Sequence, residues 1–307
     1  MRKALAILSV IAALFLTACA DSTQLGERAI IQAAAVDYDG SYRVSALLFS
    51  SGGSGGNTID ASQDNVIKVT GEGETLAEAI DNISLIDGKR IYMCETKLLI
   101  LGGGFEEISA MEALNTLYYD MRCSLNMPVC CAEKAEFLTD LQFTEGVTSA
   151  EKPLSMIENA YRMGVSPKTT LLDLLAENQG GEPSLIPQFK LSENGRGMTS
   201  SEDGETAVLC GSRQMQNGLL SENYNEAKTA GLMLVYGKSD RMTLNYVFQN
   251  SEKTCEAYGI KVRSEPIARG SSLVVTAKFR TRNGGELPEA ERKTALKELS
   301  RIVGDSL

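Results

Sequence analysis

The sequence predicts an α/β fold, with mixed sheets covered by helices and up to three small domains. Two patterns predict it. From residue 25 to about 180, strand-like and helix-like runs follow one another in the order β-β-α-β-α-β-α. Near the end of the chain, three strand-like runs precede one helix-like run. The length of 307 residues suits two or three domains of ordinary size.

The first elements are two strands joined by a tight turn. Residues 29–49 carry apolar alternations on both sides of Asp39-Gly40, and Asp-Gly between two such runs predicts a hairpin. A Gly/Ser-rich stretch at residues 50–58 follows and is typical of a flexible loop. We do not interpret it as a phosphate cradle, because neither a lysine nor a helix start comes after the glycines.

A third strand and the first helix come next. The strand ends at Gly71-Glu72-Gly73, and Thr75 with Glu78 forms a T-x-x-E capping box that predicts the helix start. A strand, G-x-G and a helix also occur in dinucleotide-binding folds. Here the third glycine is missing, and glutamates beside the motif would repel a pyrophosphate. The sequence therefore gives no nucleotide site.

The alternation continues through the remainder of this region. Residues 90–104 predict a strand with a glycine stop, and residues 105–122 show apolar side chains at helical spacing. In that helix, Met111, Tyr118 and Tyr119 are expected to pack into the core. A strand over 124–132, a short helix over 132–141 and a helix stopped by Gly180-Gly181 complete the region.

The composition then changes, which indicates domain boundaries. Pro183 and Pro187 bracket an extended segment, and residues 190–237 are polar and Gly-rich with short strands. From residue 241, three strands precede a helix. We expect a signal peptide at residues 1–18, an N-terminal α/β domain at 19–182, a middle segment at 183–237 and a C-terminal β-then-α domain at 238–307.

The N-terminus has the parts of an export signal. Arg2 and Lys3 precede an uncharged run from Ala4 to Leu16. As a helix, this run is roughly 20 Å long, which is short of the about 30 Å of hydrocarbon in a bilayer. The segment is therefore too short to span a membrane comfortably and suits a cleaved signal.

Cys19, at the end of this segment, has three interpretations: half of a disulfide, a residue of an uncleaved anchor, or a site of lipid attachment. Leu16-Thr17-Ala18-Cys19 resembles the lipobox of bacterial lipoproteins, in which the thiol receives diacylglycerol before cleavage. We predict lipid attachment at Cys19 and signal-peptidase recognition at Leu16, Thr17 and Ala18. Two acyl chains would anchor the protein stably. The alternative is an uncleaved membrane anchor, in which the uncharged run extends from Ala4 to Ala20.

The charge and the missing histidine exclude several functions. The net charge is −10, and without residues 1–18 the chain has 28 Lys and Arg against 40 Asp and Glu. Phosphate backbones repel such a chain, so no nucleic-acid partner is expected. Without histidine, Ser-His-Asp and Cys-His catalysis and imidazole-bound zinc are excluded. We expect no metal and no other cofactor.

The cysteines form no C-x-x-C pair, so a four-thiolate metal site lacks its usual spacing. The adjacent Cys130 and Cys131 would point to opposite faces of a sheet if they lie on a strand. The sequence leaves pairing open for Cys94, Cys123, Cys130, Cys131, Cys210 and Cys255.

Enzyme motifs are incomplete. Ser149 to Lys152 fits S-x-x-K, but the S-D-N and K-T-G motifs of penicillin-binding enzymes occur only in altered form, at Ser221 and Lys228. These last two also lie too close together to form separate walls of a cleft. The acid pairs Glu106-Glu107 and Glu202-Asp203 are typical of a solvated acidic surface. We expect no enzymatic activity.

Several stretches, in this order, together resemble the Ger(x)C family of spore germination lipoproteins. After the lipobox cysteine they are residues 28–49, 68–84, 89–104, the Arg122-bearing segment 118–138, 182–191 and 211–234. In the last stretch, the family's Gly-Leu, acidic and Gly positions match Gly211, Gly218-Leu219-Leu220, Glu226 and Gly231. Two features differ from the family pattern: tryptophan is absent, and the chain stops at Leu307, soon after the final helix. The C-terminal domain is therefore expected to be incomplete relative to the family.

The resemblance implies a non-enzymatic, three-domain α/β lipoprotein that serves as the C subunit of a germinant receptor. It would lie on the outer face of the spore inner membrane, held by diacylglycerol on Cys19. Its partners would be a membrane-spanning A subunit and a transporter-like, multi-span B subunit, with which it would respond to small-molecule germinants. The alternative is a stand-alone, lipid-anchored small-molecule-binding protein outside the cytoplasm. Such proteins need two matched lobes, and the sequence shows no internal duplication.

Overall fold

A computed structural model of the chain describes residues 27–49, 66–140, 150–192, 206–267 and 270–307. Within these residues, strands β1 to β13 are, in chain order, Arg28–Tyr38, Tyr42–Phe49, Val66–Gly73, Arg90–Tyr92, Leu98–Leu101, Pro128–Ala132, Thr169–Thr170, Ser184–Ser192, Thr206–Gln216, Leu219–Tyr224, Arg241–Phe248, Ser251–Ile267 and Gly270–Arg280. Helices α1 to α7 are Leu76–Asp87, Met111–Tyr119, Glu136–Asp140, Glu151–Arg162, Leu171–Gly180, Glu226–Val235 and Glu289–Asp305. The predicted α/β class is confirmed.

The larger sheet has ten described strands. Its order is β10-β9-β8-β6-β5-β1-β2-β3, with β4 beside β1 and β7 beside β6. The central strands β1, β5, β6 and β8 run parallel, while antiparallel pairs extend the sheet on both sides. Parallel neighbours need long crossovers. The alternation of strands and helices along the chain supplies them.

Helices cover both faces of this sheet. One face packs against α1, α2 and α5, and the other against α3 and α4. Because both faces are covered, the central strand β5 is apolar at every position and completely buried. Cys131 lies in the first core and Cys130 in the second. The expectation that these neighbours point to opposite faces is therefore confirmed.

The G-x-G motif at the end of β3 brings helix and strand close together. A Cβ atom on Gly71 would lie 2.2 Å from the carbonyl oxygen of Ala79, and one on Gly73 would lie 2.6 Å from the Ala79 nitrogen. Helix α1 begins as predicted, because the Thr75 hydroxyl accepts a 3.2 Å hydrogen bond from the backbone N–H of Glu78. The two glycines therefore allow α1 to pack closely against β3.

Two predictions in the region after α1 are wrong. The single strand predicted for residues 90–104 is two strands, because the chain turns between Met93 and Lys97, where the Thr96 N–H donates to the Met93 carbonyl.

Tyr119 was expected in the core, yet 69% of it is exposed. It occupies the last residue of α2, and its ring rests on Tyr118 with centroids 4.7 Å apart. Met111 and Tyr118 pack against the core as expected.

The middle segment joins the larger sheet. Its strands β8, β9 and β10 extend the sheet beyond β6, and β9 has eleven residues, so the prediction of only short strands was wrong. The segment also contains α6, which the polar, Gly-rich composition had not predicted. Asn225 caps this helix by accepting a 2.9 Å hydrogen bond from the Lys228 N–H. The domain boundaries at 182/183 and 237/238 remain a proposal.

The C-terminal residues form the predicted β-then-α unit. Strands β11, β12 and β13 make an antiparallel sheet, and α7 packs on it through Ala295, Leu299 and Val303. Helix α6 contributes Ala230 to this core. The same helix contributes Met233 to a separate cluster with Leu185 of β8. It therefore connects the larger sheet to the C-terminal unit.

Candidate functional site

The residues predicted from sequence as a functional site lie outside the described residues. These are the recognition residues Leu16, Thr17 and Ala18 and the lipid attachment site Cys19. The described chain begins at Glu27, directly before β1. Lipid attachment therefore stays a prediction, and the end of the fold next to this segment is where a site related to it would lie.

A polar cavity lies at this end. It has a volume of about 560 Å³, and its lining includes Arg28, Asp81, Arg90, Tyr92, Cys94 and Arg122. Strand β4 pairs in parallel with the start of β1, which places Arg28 opposite Arg90. Gly88, with a φ of 73°, ends α1 and turns the chain into β4.

The end of α2 supplies the remaining wall. The chain leaves this helix through Asp120, Met121 and Arg122, which all line the cavity. Arg122 has a φ of 55°, a left-handed conformation that few non-glycine residues adopt. This turn presents Arg122 at the cavity beside the last turns of α1.

Contacts inside the cavity fix its aromatic and thiol groups. The guanidinium carbon of Arg28 lies 5.2 Å from the centre of the Tyr92 ring, within cation–π range. The Cys94 thiol donates to the carbonyl oxygen of Met121, with a sulfur–oxygen distance of 3.9 Å. A hydrogen bond with Cys94 raises the pKa of the Tyr92 hydroxyl. Tyr92 therefore stays protonated and neutral near pH 7.

The charges of the cavity suit an anionic group. Arg90 and Arg122 make no ion pair with a described residue, and guanidinium groups bind phosphate and carboxylate with paired hydrogen bonds. The carboxylates of Asp81 and Asp120 stand in the same lining. The arrangement can therefore bind a zwitterionic group, which carries a positive and a negative charge, or a phosphate group whose negative charge is shared among several arginines.

Sequence reasoning had not selected Arg28 and Arg90 for any role. They are 62 positions apart in the sequence, and only the parallel pairing of β1 with β4 makes them neighbours. Arg122 had been noted as part of a family-like segment. No local pattern could have indicated that the three side chains line one cavity.

Those candidate enzyme residues that the structure describes do not assemble into a site. Glu106 pairs with Arg213, whose side chain is 5% exposed. The Ser221 hydroxyl accepts a 2.9 Å hydrogen bond from the Gln214 N–H, and the Lys228 ammonium lies 4.2 Å from the centre of the Tyr224 ring. Ser149 and the pair Glu202-Asp203 lie outside the described residues.

The cysteines of the described residues are unpaired thiols. Cys94 and Cys210 are half-buried, and the others are buried. Burial raises the pKa of Cys123 and of Cys131 to about 12, and that of Cys255 to about 11. These buried thiols therefore serve as apolar core groups near pH 7.

The described residues contain no helix that is both long and apolar enough to cross a membrane. In the same residues, no group of three or more acidic or cysteine side chains is placed to hold a metal ion.

Comparison with known proteins identifies the family. Residues 21–191 match the family model described as "Spore germination protein N-terminal domain". This match covers more than half of the chain, so the fold and the match define a spore germination protein. The chain belongs to the Ger(x)C family, whose members are C subunits of spore germinant receptors. The resemblance inferred from the sequence is confirmed.

A solved structure, described as "Crystal Structure of the GerBC protein", is also similar. It shares 16% sequence identity with this chain, with 89% of this chain and 80% of that chain covered and a TM-score of 0.48. A search of curated proteins finds no match. The family is one of receptor subunits and not of known enzymes. Membership implies association with other receptor subunits and with the spore inner membrane.

Proposed function

We propose that this chain is a non-enzymatic germinant receptor subunit, held on the outer face of the spore inner membrane by diacylglycerol on Cys19. Residues 1–18 direct export, and the signal peptidase recognises Leu16, Thr17 and Ala18. The mature chain then works with multi-span A-type and B-type subunits in the response to small-molecule germinants.

The position of the lipobox carries this proposal. Cys19 lies two residues before the start of the family domain at residue 21, so cleavage before Cys19 would leave the domain whole. A strongly acidic body is not drawn to anionic lipid by its charge. Two acyl chains on one residue are sufficient for stable attachment.

Membrane fractionation tests the anchor. We expect the Cys19→Ser variant to leave washed membranes and appear in the soluble fraction, while Cys210→Ser, a matched change at a half-buried thiol, stays in the membrane. The intact mass of the extracted wild-type chain should show loss of residues 1–18 and gain of the acyl groups. A Cys19→Ser variant that remains fully in washed membranes would contradict the proposal.

Co-purification tests the partners. A receptor subunit extracted in mild detergent should carry A-type and B-type subunits with it. A stand-alone binding protein would be recovered with a small molecule and without membrane-spanning partners. The second result would support the alternative function and leave the anchor itself intact.

A further inference from the structure

The start of β1 must lie close to the lipid-bearing residue. This inference rests on the proposed acylation of Cys19. Arg28 follows Cys19 by nine residues, and a fully extended chain of that length spans at most about 30 Å. The end of the sheet where β1 begins is therefore restricted to the neighbourhood of the bilayer surface.

The same end carries two neighbouring aliphatic residues that no described residue covers. Leu85 is 80% exposed and Ile86 is 64% exposed, and both lie in the last turn of α1. That turn leads through Gly88 and Lys89 into β4, which starts at Arg90 beside Arg28. The two apolar side chains are thus only a few residues from the strand that follows the tether.

A third exposed side chain, Tyr119, lies at the end of α2, directly before residues that line the cavity. The residues that follow it, Asp120 to Arg122, share the cavity lining with Asp81 and Ser84 of α1. Tyrosine is a side chain that membrane interfaces favour, because its ring is apolar and its hydroxyl stays hydrated. The ends of α1 and α2 therefore border the same cavity, at the same end of the fold.

The charges on this face allow contact with a bilayer. Lys89, Arg90 and Arg122 make no ion pair with a described residue. Asp81 and Asp120 line the same cavity as Arg90 and Arg122, and Asp87 precedes Lys89 by two positions. The face is close to neutral although the whole chain is strongly acidic, so anionic lipid does not repel it.

We infer that this anchor-proximal face, formed by Leu85, Ile86, Tyr119, Lys89, Arg90 and Arg122, rests on the phospholipid surface beside the acylated Cys19. Leu85 and Ile86 enter the boundary between headgroups and acyl chains, while the basic side chains contact lipid phosphates. The tether restricts distance, and the apolar residues select which side of the domain faces the membrane. The chain therefore has a fixed orientation on the bilayer.

Photo-crosslinking tests this orientation on the full acylated chain. A benzophenone side chain replaces Ile86 in one protein and Leu191 in another. Leu191 is 38% exposed and lies at the opposite, carboxyl end of the parallel strands. Both proteins are illuminated in membranes that contain phosphatidylglycerol, and their intact masses are measured. We expect phospholipid adducts on the protein with the probe at position 86 and none on the protein with the probe at position 191.

A second measurement uses the unsubstituted chain in phosphatidylglycerol vesicles. An amine-reactive reagent should modify Lys89 several-fold more slowly on vesicles than in detergent, whereas the exposed Lys190 on β8 should react equally in both. Two outcomes would overturn the inference without contradicting the proposed anchor. In the first, the probe at position 86 crosslinks to protein; in the second, it forms no lipid adduct although the mass of the chain shows acylation. A mass without acyl groups would instead overturn the proposed anchor, and this inference with it.

Discussion

The carboxylate of Asp37 accepts a 2.8 Å hydrogen bond from the backbone N–H of Ala135, 98 positions further along the chain. It also accepts 3.2 Å bonds from the N–H groups of Gly103 and Glu136. Asp37 stands at the end of β1, Gly103 follows β5, and Ala135 precedes α3. One side chain therefore joins three connections at the carboxyl edge of the parallel strands. Burial raises the pKa of Asp37, and these amide bonds act in the opposite direction.

Asp37→Asn should destabilise the protein. An asparagine amide can accept two of these bonds through its oxygen, but its NH2 group would face the N–H of Glu136, so that donor loses its partner. We expect a decrease of about 1–3 kcal/mol in the free energy of unfolding, measured by urea denaturation at pH 7. Asp39→Asn, in the exposed hairpin turn, should stay within about 0.5 kcal/mol of wild type. Equal effects of the two substitutions would show that the three bonds contribute nothing specific.

The pair formed by Glu106 and Arg213 predicts a pH dependence. Burial raises the pKa of Glu106, but the hydrogen bond and the charge of Arg213 lower it by more, so the pKa of Glu106 lies below its ordinary value. Because the folded-state pKa is depressed, the pair contributes stability above the unfolded pKa and loses it as the pH falls through the folded pKa. Glu106→Gln should reduce stability by about 1–2 kcal/mol at pH 7, a value moderated by the partial exposure of Glu106.

This difference should shrink as the pH falls below the ordinary range of a glutamate and through the lowered folded-state pKa of Glu106, because the carboxyl then becomes protonated in wild type as well. Unfolding midpoints of both proteins between pH 3 and 8 provide the measurement. Glu107→Gln, on the exposed neighbouring position, is the control and should show no such trend. A Glu106→Gln effect that is constant over this range would argue against the ion pair.

Gly231 sets the approach of α6 to α7. A Cβ atom there would lie 2.5 Å from the Cβ atom of Ser306 and 2.8 Å from the carbonyl oxygen of Ile302. Gly231→Ala should therefore separate the helices and destabilise the C-terminal unit by about 1–3 kcal/mol. Gly304→Ala is the matched control, because nothing lies within 4 Å of its added methyl group. It should stabilise α7 by about 0.5–1 kcal/mol, and thermal unfolding of both variants would distinguish the two effects.

The thiols should differ in reactivity. Maleimide at pH 7.5 should modify Cys94 and Cys210 on the folded chain, because these two are half-buried. Burial raises the pKa of the other thiols and blocks access, so they should react only after denaturation; they are Cys123, Cys130, Cys131 and Cys255. Mass spectrometry counts the adducts. Thiols that fail to react in denaturant without a reductant would reveal a disulfide and contradict the unpaired cysteines of the described residues.

Elements that depend on neighbouring residues could be predicted from the sequence. The Asp39-Gly40 hairpin, the Thr75 cap and the final three strands and helix all occur where local patterns placed them. The lipid site at Cys19 was also inferred locally, from four consecutive residues, and remains a prediction. The family followed from the order of several weak matches along the chain.

Other features depended on contacts between distant segments. Helix α6 was missed because Gly231 and polar neighbours weaken its helical pattern, while burial between two cores stabilises it. Tyr119 was assigned to the core because helical spacing does not reveal that the last residue of α2 is exposed. Glycine is required at position 71 because the backbone of Ala79 leaves no room for a side chain there, and only the folded structure shows this approach.

The sequence by itself determined the α/β alternation, the turns and caps and the family, because backbone preferences and side-chain periodicity act within a few residues; the export segment stays a prediction from the same kind of local pattern. The tertiary structure decided that β8 to β10 extend the first sheet, that Arg28 and Arg90 line one cavity with Arg122, and that Leu85 and Ile86 are covered by no described residue at the end where β1 begins. These relationships arise from strand pairing and burial across the fold, and no local stretch of residues contains them.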